Sequence, residues 1–346
     1  MTEKIRVAFG QFRELTEEDL LFARQLGASG VTLNTPFFKG RSLYGVDIFI
    51  SSGDATADRF ESQTRWDFLE IVQLRTMVED YGLRLEAIEN TPISFYDKAM
   101  LGLPERDEQI ESYMEIIRML GKARIPILGY HWMPIHVWRT SKTTPGRGGA
   151  LVSSFDHALV TEAPLIHGRP ITEDDLWANY EYFIKAVLPV AEEAGVKLAL
   201  HPDDPPMEKP LGGVARIMGS LNGFKKAMDI GDSPNHGLDF CIGSWASRGI
   251  DEMFEAMRHF GSRGKIFYVH FRNVRGSVPR FQETFIDEGD VDVVAALHTL
   301  MEVGFEGFII DDHVPQMVND TGWGHRGRAF ATGYIRGLLR ALEAQG

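Results

Sequence analysis

Short apolar runs alternate with longer amphipathic segments along most of this chain. Residues 5–9, 30–34, 83–90 and 125–130 are compact apolar or alternating runs, the pattern of buried or half-buried strands. Segments 16–26, 65–81 and 105–120 place apolar residues at helical spacing; in the second, Phe68, Ile71, Val72, Leu74, Met77 and Val78 share one face. Thr16 with Asp19 three residues later reads as a capping box, and Gly82 is placed to end the second helix. The second half repeats the alternation. A helix over 174–194 leads to a strand over 196–201 that Pro202 ends. Helices near 221–228, 251–259 and 291–303 precede strands over 237–242, 265–270 and 305–312, and a helix over about 329–344 closes the chain.

This reading gives eight strands separated by helices. Such alternation implies parallel strands joined by right-handed crossovers. Eight of them predict closure into a (β/α)8 barrel of the TIM type, in the α/β class. The competitor, an open doubly wound sheet, lacks its Gly-rich first turn here. No low-complexity linker divides the chain, so residues 1–346 read as one domain. Two excursions, at about 37–65 and 138–173, follow strands. They therefore fall on the face where barrel enzymes keep their active sites, and read as functional lids.

Composition narrows the partners. Thirty-six Lys and Arg stand against 49 Asp and Glu, a net charge of −13. Such a chain is poorly suited to nucleic acid, whose binding rests on neutralising phosphates with cations. It is equally unsuited to an anionic membrane surface. No stretch approaches the roughly 18–20 apolar residues of a membrane span, and the first residues lack the apolar core of a signal peptide. The expected compartment is the cytoplasm. A homodimer or larger homo-oligomer is compatible with the sequence. One cysteine allows neither an intrachain disulfide nor a Cys-rich zinc module.

That cysteine acquires a role when the strand ends are aligned. The fifth predicted strand stops at His201, the sixth at Cys241, the seventh at His270 and the eighth at Asp312. Any one of these residues is more often a satisfied polar side chain or, for cysteine, a small hydrophobe. Four metal-ligating types at successive strand ends converge on one barrel mouth. A soft thiolate disfavours magnesium and calcium, whereas this donor set suits divalent iron, zinc, cobalt or manganese. His313 emerges at the same rim and is the candidate general acid or base. Arg272 and Asn273 follow His270 and offer donors to a substrate carboxylate or hydroxyls. His131 and Trp132, beside Tyr130 at the fourth strand end, are further substrate-binding candidates. Glu89 and Asn90 end the third strand. Asp203 and Asp204, between prolines, read as residues that orient the site.

These motifs resemble the mannonate dehydratase family of the xylose-isomerase-like barrels, with this chain as a divergent member. The resemblance rests on His201-Pro-Asp-Asp-Pro-Pro206, Cys241-Ile-Gly-Ser244, Val269-His-Phe-Arg-Asn273, Glu288-Gly-Asp-Val-Asp292 and Asp312-His313. It extends in order from about residue 5 to 340. It implies a sugar-acid hydro-lyase that converts D-mannonate to 2-dehydro-3-deoxy-D-gluconate. It also implies a Mn2+ or Fe2+ ion on His201, Cys241, His270 and Asp312, with His313 in acid/base catalysis. The chain departs from the family pattern at Ile310-Asp311, where relatives carry Arg-Pro, and at 321–333, which has no clear counterpart of the family's catalytic tyrosine. Alternatives are a dehydratase of another aldonic acid, a metal-dependent sugar isomerase or epimerase, and a non-catalytic sugar-acid sensor.

Overall fold

A computed structural model describes residues 5–12, 15–34, 66–135 and 137–344. Its strands in chain order are β1 (Arg6–Phe12), β2 (Gly30–Asn34), β3 (Arg84–Glu89), β4 (Ile127–His131), β5 (Ser141–Pro145), β6 (Leu151–Asp156), β7 (Lys197–His201), β8 (His236–Cys241), β9 (Ile266–Phe271), β10 (Val274–Ser277), β11 (Arg280–Glu283) and β12 (Phe308–Asp311). Eight of these close in the order β1-β12-β9-β8-β7-β4-β3-β2, and every described pairing among them is parallel. The expected (β/α)8 barrel is present. The other four form an antiparallel sheet, β10-β11-β6-β5, which the periodicity did not disclose.

The helices are α1 (Glu17–Gln25), α2 (Phe68–Asp80), α3 (Asp97–Leu101), α4 (Arg106–Lys122), α5 (Glu173–Ala194), α6 (Leu221–Ile230), α7 (Ile242–Arg248), α8 (Ile250–Gly261), α9 (Val293–Glu302) and α10 (His325–Glu343). The Thr16–Asp19 capping box forms on α1, and Gly82 follows α2 with φ +69°. The short helices α3 and α7 were not anticipated. No helix among the described residues is long and apolar enough to cross a membrane. The predicted excursion at 37–65 lies outside the described residues. That at 138–173 supplies β5 and β6.

A small second core fills the barrel: Ala8, Ala87, Ile127, Ala199, Phe267, Tyr268, Phe308 and Ile310. Tyr268 and Phe308 stack with ring centroids 5.0 Å apart. Glycine at position 129 makes room for that layer, since a Cβ there would lie 2.6 Å from the Tyr268 hydroxyl. Side chains two residues further along the same strand faces rise from this layer into the mouth.

Candidate metal centre and active site

The mouth is built by strand parity. Tyr268 lies in the barrel layer, so His270 stands above it; Ala199 likewise places His201, and Ala87 places Glu89. Register then brings neighbours level, with His131 opposite His201 and Cys241 opposite His270. Ligand-type atoms of His201, Cys241 and His270 all lie within 4.8 Å of one another, and all three side chains are buried. Asp312 joins from the end of β12. Its Oδ2 is 3.7 Å from Cys241 Sγ and 3.9 Å from His270 Nδ1. Gln11 donates to Asp312 Oδ1 at 2.5 Å, and Arg272 Nε lies 2.7 Å from its Oδ2.

The electrostatics suit a cation. Burial pushes the Cys241 thiol up, but the Arg272 guanidinium and the neighbouring His201 and His270 imidazoles outweigh it and bring it down to about 5. A thiolate is the ligating form. Burial opposes charging Asp312, yet His313, His270, Arg272 and His201 hold its carboxyl well below the usual range. Both nitrogens of His270, both oxygens of Asp239 and Oε2 of Glu89 are buried without a hydrogen-bond partner. Buried polar groups are ordinarily satisfied. Unsatisfied donors and acceptors around a thiolate therefore fit a bound metal ion. His201 Nδ1 lies 2.6 Å from the Pro202 carbonyl oxygen and donates to it, which leaves Nε2 as the ligating nitrogen.

A second layer of charge covers this group. Arg139, just ahead of β5, donates to both oxygens of Asp204 at 2.8 Å and to Glu283 Oε1 at 2.8 Å. Arg272 donates to Asp204 and Ser244 at 2.8 and 3.0 Å, and to Glu283 at 2.5 Å. Burial would raise the Glu283 carboxyl, but Arg272, His313 and Arg139 lower it to about 2. Glu283 is thus an anion that can only accept. His313 Nδ1, 3.0 Å away, must carry the proton between them, while Nε2 lies 3.7 Å from Asp312 Oδ1. The His313 side chain keeps 33% of its exposure, while Glu283 keeps 3%.

The other predicted substrate contacts fare differently. Arg272 is buried, with its guanidinium taken by Asp204, Glu283, Ser244 and Asp312. Asn273 spends its amide on the Ile286 and Val291 carbonyls and its oxygen on the Val274 and Val291 amides. The Trp132 indole donates to the Leu176 carbonyl. Of the four candidates only His131 is partly exposed.

A family model described as D-mannonate dehydratase (UxuA) matches residues 59–168 and 163–346. Mannonate dehydratase 2 of Halalkalibacterium halodurans is 31% identical, over 81% of this chain and 88% of its own length. The chain belongs to the mannonate dehydratase family. The mannonate dehydratase of Streptococcus equi subsp. zooepidemicus is 34% identical over 80% of this chain and 83% of its own. The crystal structure of the Streptococcus suis serotype 2 mannonate dehydratase superposes with a TM-score of 0.85 at 31% identity, covering 99% of this chain and 95% of that one. An L-ribulose 3-epimerase structure, at 14% identity and a TM-score of 0.59 over 99% of this chain and 96% of that one, shares the fold.

Where the sequence departs from the family pattern, the structure shows a linked unit. Asp311 is buried and accepts from Arg328 Nη1 at 2.7 Å. Arg328 Nε donates to the Trp323 carbonyl, and its guanidinium lies 4.6 Å from the Trp323 ring centroid. The Trp323 indole donates to the Gln11 carbonyl at 2.9 Å and the ring stacks on Phe12. Gln11 is held at φ +61°, and its amide reaches Asp312. Sequence reasoning passed over Gln11, Arg139, Asp239 and Glu283. Parity could have found Asp239, two residues before Cys241 on the same face of one strand. Arg139 and Glu283 flank the small sheet, which left no periodic signal.

Proposed function

We propose that the protein is a metal-dependent hydro-lyase that removes water from D-mannonate to give 2-dehydro-3-deoxy-D-gluconate. The observation that carries this reading is the convergence of His201, Cys241 and His270 within 4.8 Å, beside a partly exposed His313. His201, Cys241, His270 and Asp312 would hold the ion. The mixed thiolate, imidazole and carboxylate set favours Mn2+ or Fe2+, with Zn2+ or Co2+ as substitutes. When bound, such an ion supplies Lewis-acid polarisation of substrate oxygens.

The remaining work belongs to the chain. Dehydration takes a proton from the carbon beside the carboxylate and returns one to the departing hydroxyl on the next carbon. His313 has one nitrogen fixed by Glu283 and the other 3.7 Å from Asp312 Oδ1, on a partly exposed side chain, which suits it to move a proton at either place. Arg272 serves the site by holding Asp312 and Glu283 rather than by meeting substrate. His131, level with His201, is the substrate-facing group of the fourth strand. Asn273 and Trp132 are left out of the substrate set, because their polar atoms are spent on backbone. The reading takes residues 1–346 as one domain, with the β5–β6 excursion as part of the cover. A cytoplasmic homo-oligomer acting on a small anion is consistent with it.

The test is incubation of metal-loaded protein with D-mannonate under anaerobic conditions, followed by detection of a 2-keto-3-deoxy acid. Formation of an isomer without loss of water would overturn the proposal in favour of an isomerase or epimerase.

A further inference from the structure

His270 belongs to two groups. With His201 and Cys241 it forms the cluster at the mouth; with Glu89 and Asp239 it forms a deeper set whose ligand-type atoms also lie within 4.8 Å. Its two nitrogens divide between them. Nδ1 lies 3.9 Å from Asp312 Oδ2, the atom that is 3.7 Å from Cys241 Sγ. Nε2 lies 3.2 Å from Glu89 Oε2 and 3.2 Å from Asp239 Oδ2. Glu89 and Asp239 are both buried, and neither of these oxygens has a hydrogen-bond partner. Burying two carboxylates costs several kcal/mol unless they are paired. The imidazole edge lies between them, with the Tyr268 hydroxyl beside Asp239 and the Gln11 and Asn34 amides on the other oxygen of Glu89.

We infer that Asp239, with Glu89 as a second acceptor, is a positioning residue that takes the Nε2–H of His270 and so turns the Nδ1 lone pair toward Cys241 and Asp312. A carboxylate behind a ligating imidazole fixes its tautomer, locks the ring and makes it a stronger donor. His201 meets the same need differently: its Nδ1–H goes to the Pro202 carbonyl, leaving Nε2. The two imidazoles are therefore oriented through opposite nitrogens, one by backbone and one by carboxylates. Asp239 can act this way because it stands two residues before Cys241 on one strand face. The inference rests on the metal reading above.

The experiment compares wild type, Asp239→Asn and Asp239→Ala, each stripped of metal and titrated with Mn2+ against a chelating dye. Melting temperature is recorded with and without the ion. Asp239→Ala is expected to weaken binding by about 10–100-fold at one equivalent per chain. Asp239→Asn keeps an oxygen that accepts the N–H, so it should recover much of that loss. The rise in melting temperature on adding metal should shrink in step with affinity, because a ligand stabilises according to its occupancy. A purely structural role would lower the metal-free and metal-loaded values together and leave the rise unchanged. Equal affinity in all three proteins overturns this inference alone. Two equivalents in wild type, falling to one in the variants, would replace it with a second cation between Glu89 and Asp239. A wild type that binds no divalent ion overturns both this inference and the metal reading.

Discussion

Two layers of charge lie one above the other at the barrel mouth, and they are built on opposite plans. In the inner layer, His270, Asp239 and Glu89 leave buried polar atoms without partners. In the outer layer, Arg139, Arg272, Asp204 and Glu283 are joined by ion pairs at 2.5–2.8 Å, and the buried atoms left over are Nε of each arginine and Oε2 of Glu283. Buried charge costs stability unless it is fully paired. The outer layer sets two guanidinium groups against two carboxylates, so its charge balances within the protein itself. The inner layer sets two carboxylates on one imidazole, and that difference in charge balance separates a ligand-binding group from its scaffold. His313 stands between them, tied to Glu283 above and adjacent in sequence to Asp312 below.

The sharpest way to break this comparison is to remove an inner donor. Cys241→Ser replaces a soft thiolate by a hydroxyl of similar shape. Metal content and turnover should fall by more than the ~10–100-fold that loss of an outer partner costs. The outer ion pairs do not involve the thiol, so circular dichroism should show an intact barrel. Wild-type metal content by elemental analysis would remove Cys241 from the ligand set.

Changing the residue between the layers should separate chemistry from binding. His313→Asn is expected to lower kcat by roughly 10²–10⁴-fold, the usual worth of a positioned acid or base. Metal content should stay at the wild-type value, since His313 is outside the inner cluster. An unchanged kcat would take His313 out of the mechanism.

The cluster at the mouth, with Arg272 and Asp204, was legible as site residues in the sequence; Asp239 behind the cluster and the Arg139–Glu283 link above it were not. Ligand types at the ends of β7, β8, β9 and β12 stand one β/α unit apart, and the barrel's parity turns that spacing into convergence. The outer layer depends on Glu283 and Arg139, which are separated by 144 residues and meet because two β-hairpin strands pair across the mouth. Those strands are short, and β5 beside them, Ser141–Pro145, is largely exposed and carries no apolar alternation. Polar matching of this kind, between distant loops, leaves no local pattern. The same holds for Arg272, a cation at a strand end whose partners Asp204, Glu283, Ser244 and Asp312 leave no local pattern.

The outer layer makes its own, smaller prediction, and pH is the lever. Glu283 faces Arg139, Arg272 and His313, and its carboxyl is held at about 2 against a reference of 4.5. Its folded value is depressed, so its contribution to stability is present above about 4.5 and is lost as pH falls toward about 2. Glu283→Gln removes that titration and leaves two guanidinium groups under-compensated. At pH 7 the variant should be less stable by about 3–5 kcal/mol, the cost of breaking a buried pair. The difference from wild type should narrow as the pH is lowered from 4.5 toward 2, because wild-type Glu283 is then protonated too. Asp204 and Asp312 are held below that range by the same cations, so neither gains a proton within it. Chemical denaturation of the two metal-free proteins across that range measures it. Equal stability at pH 7 would mean that the outer ion pairs are not the scaffold, and the contrast between the layers would fail.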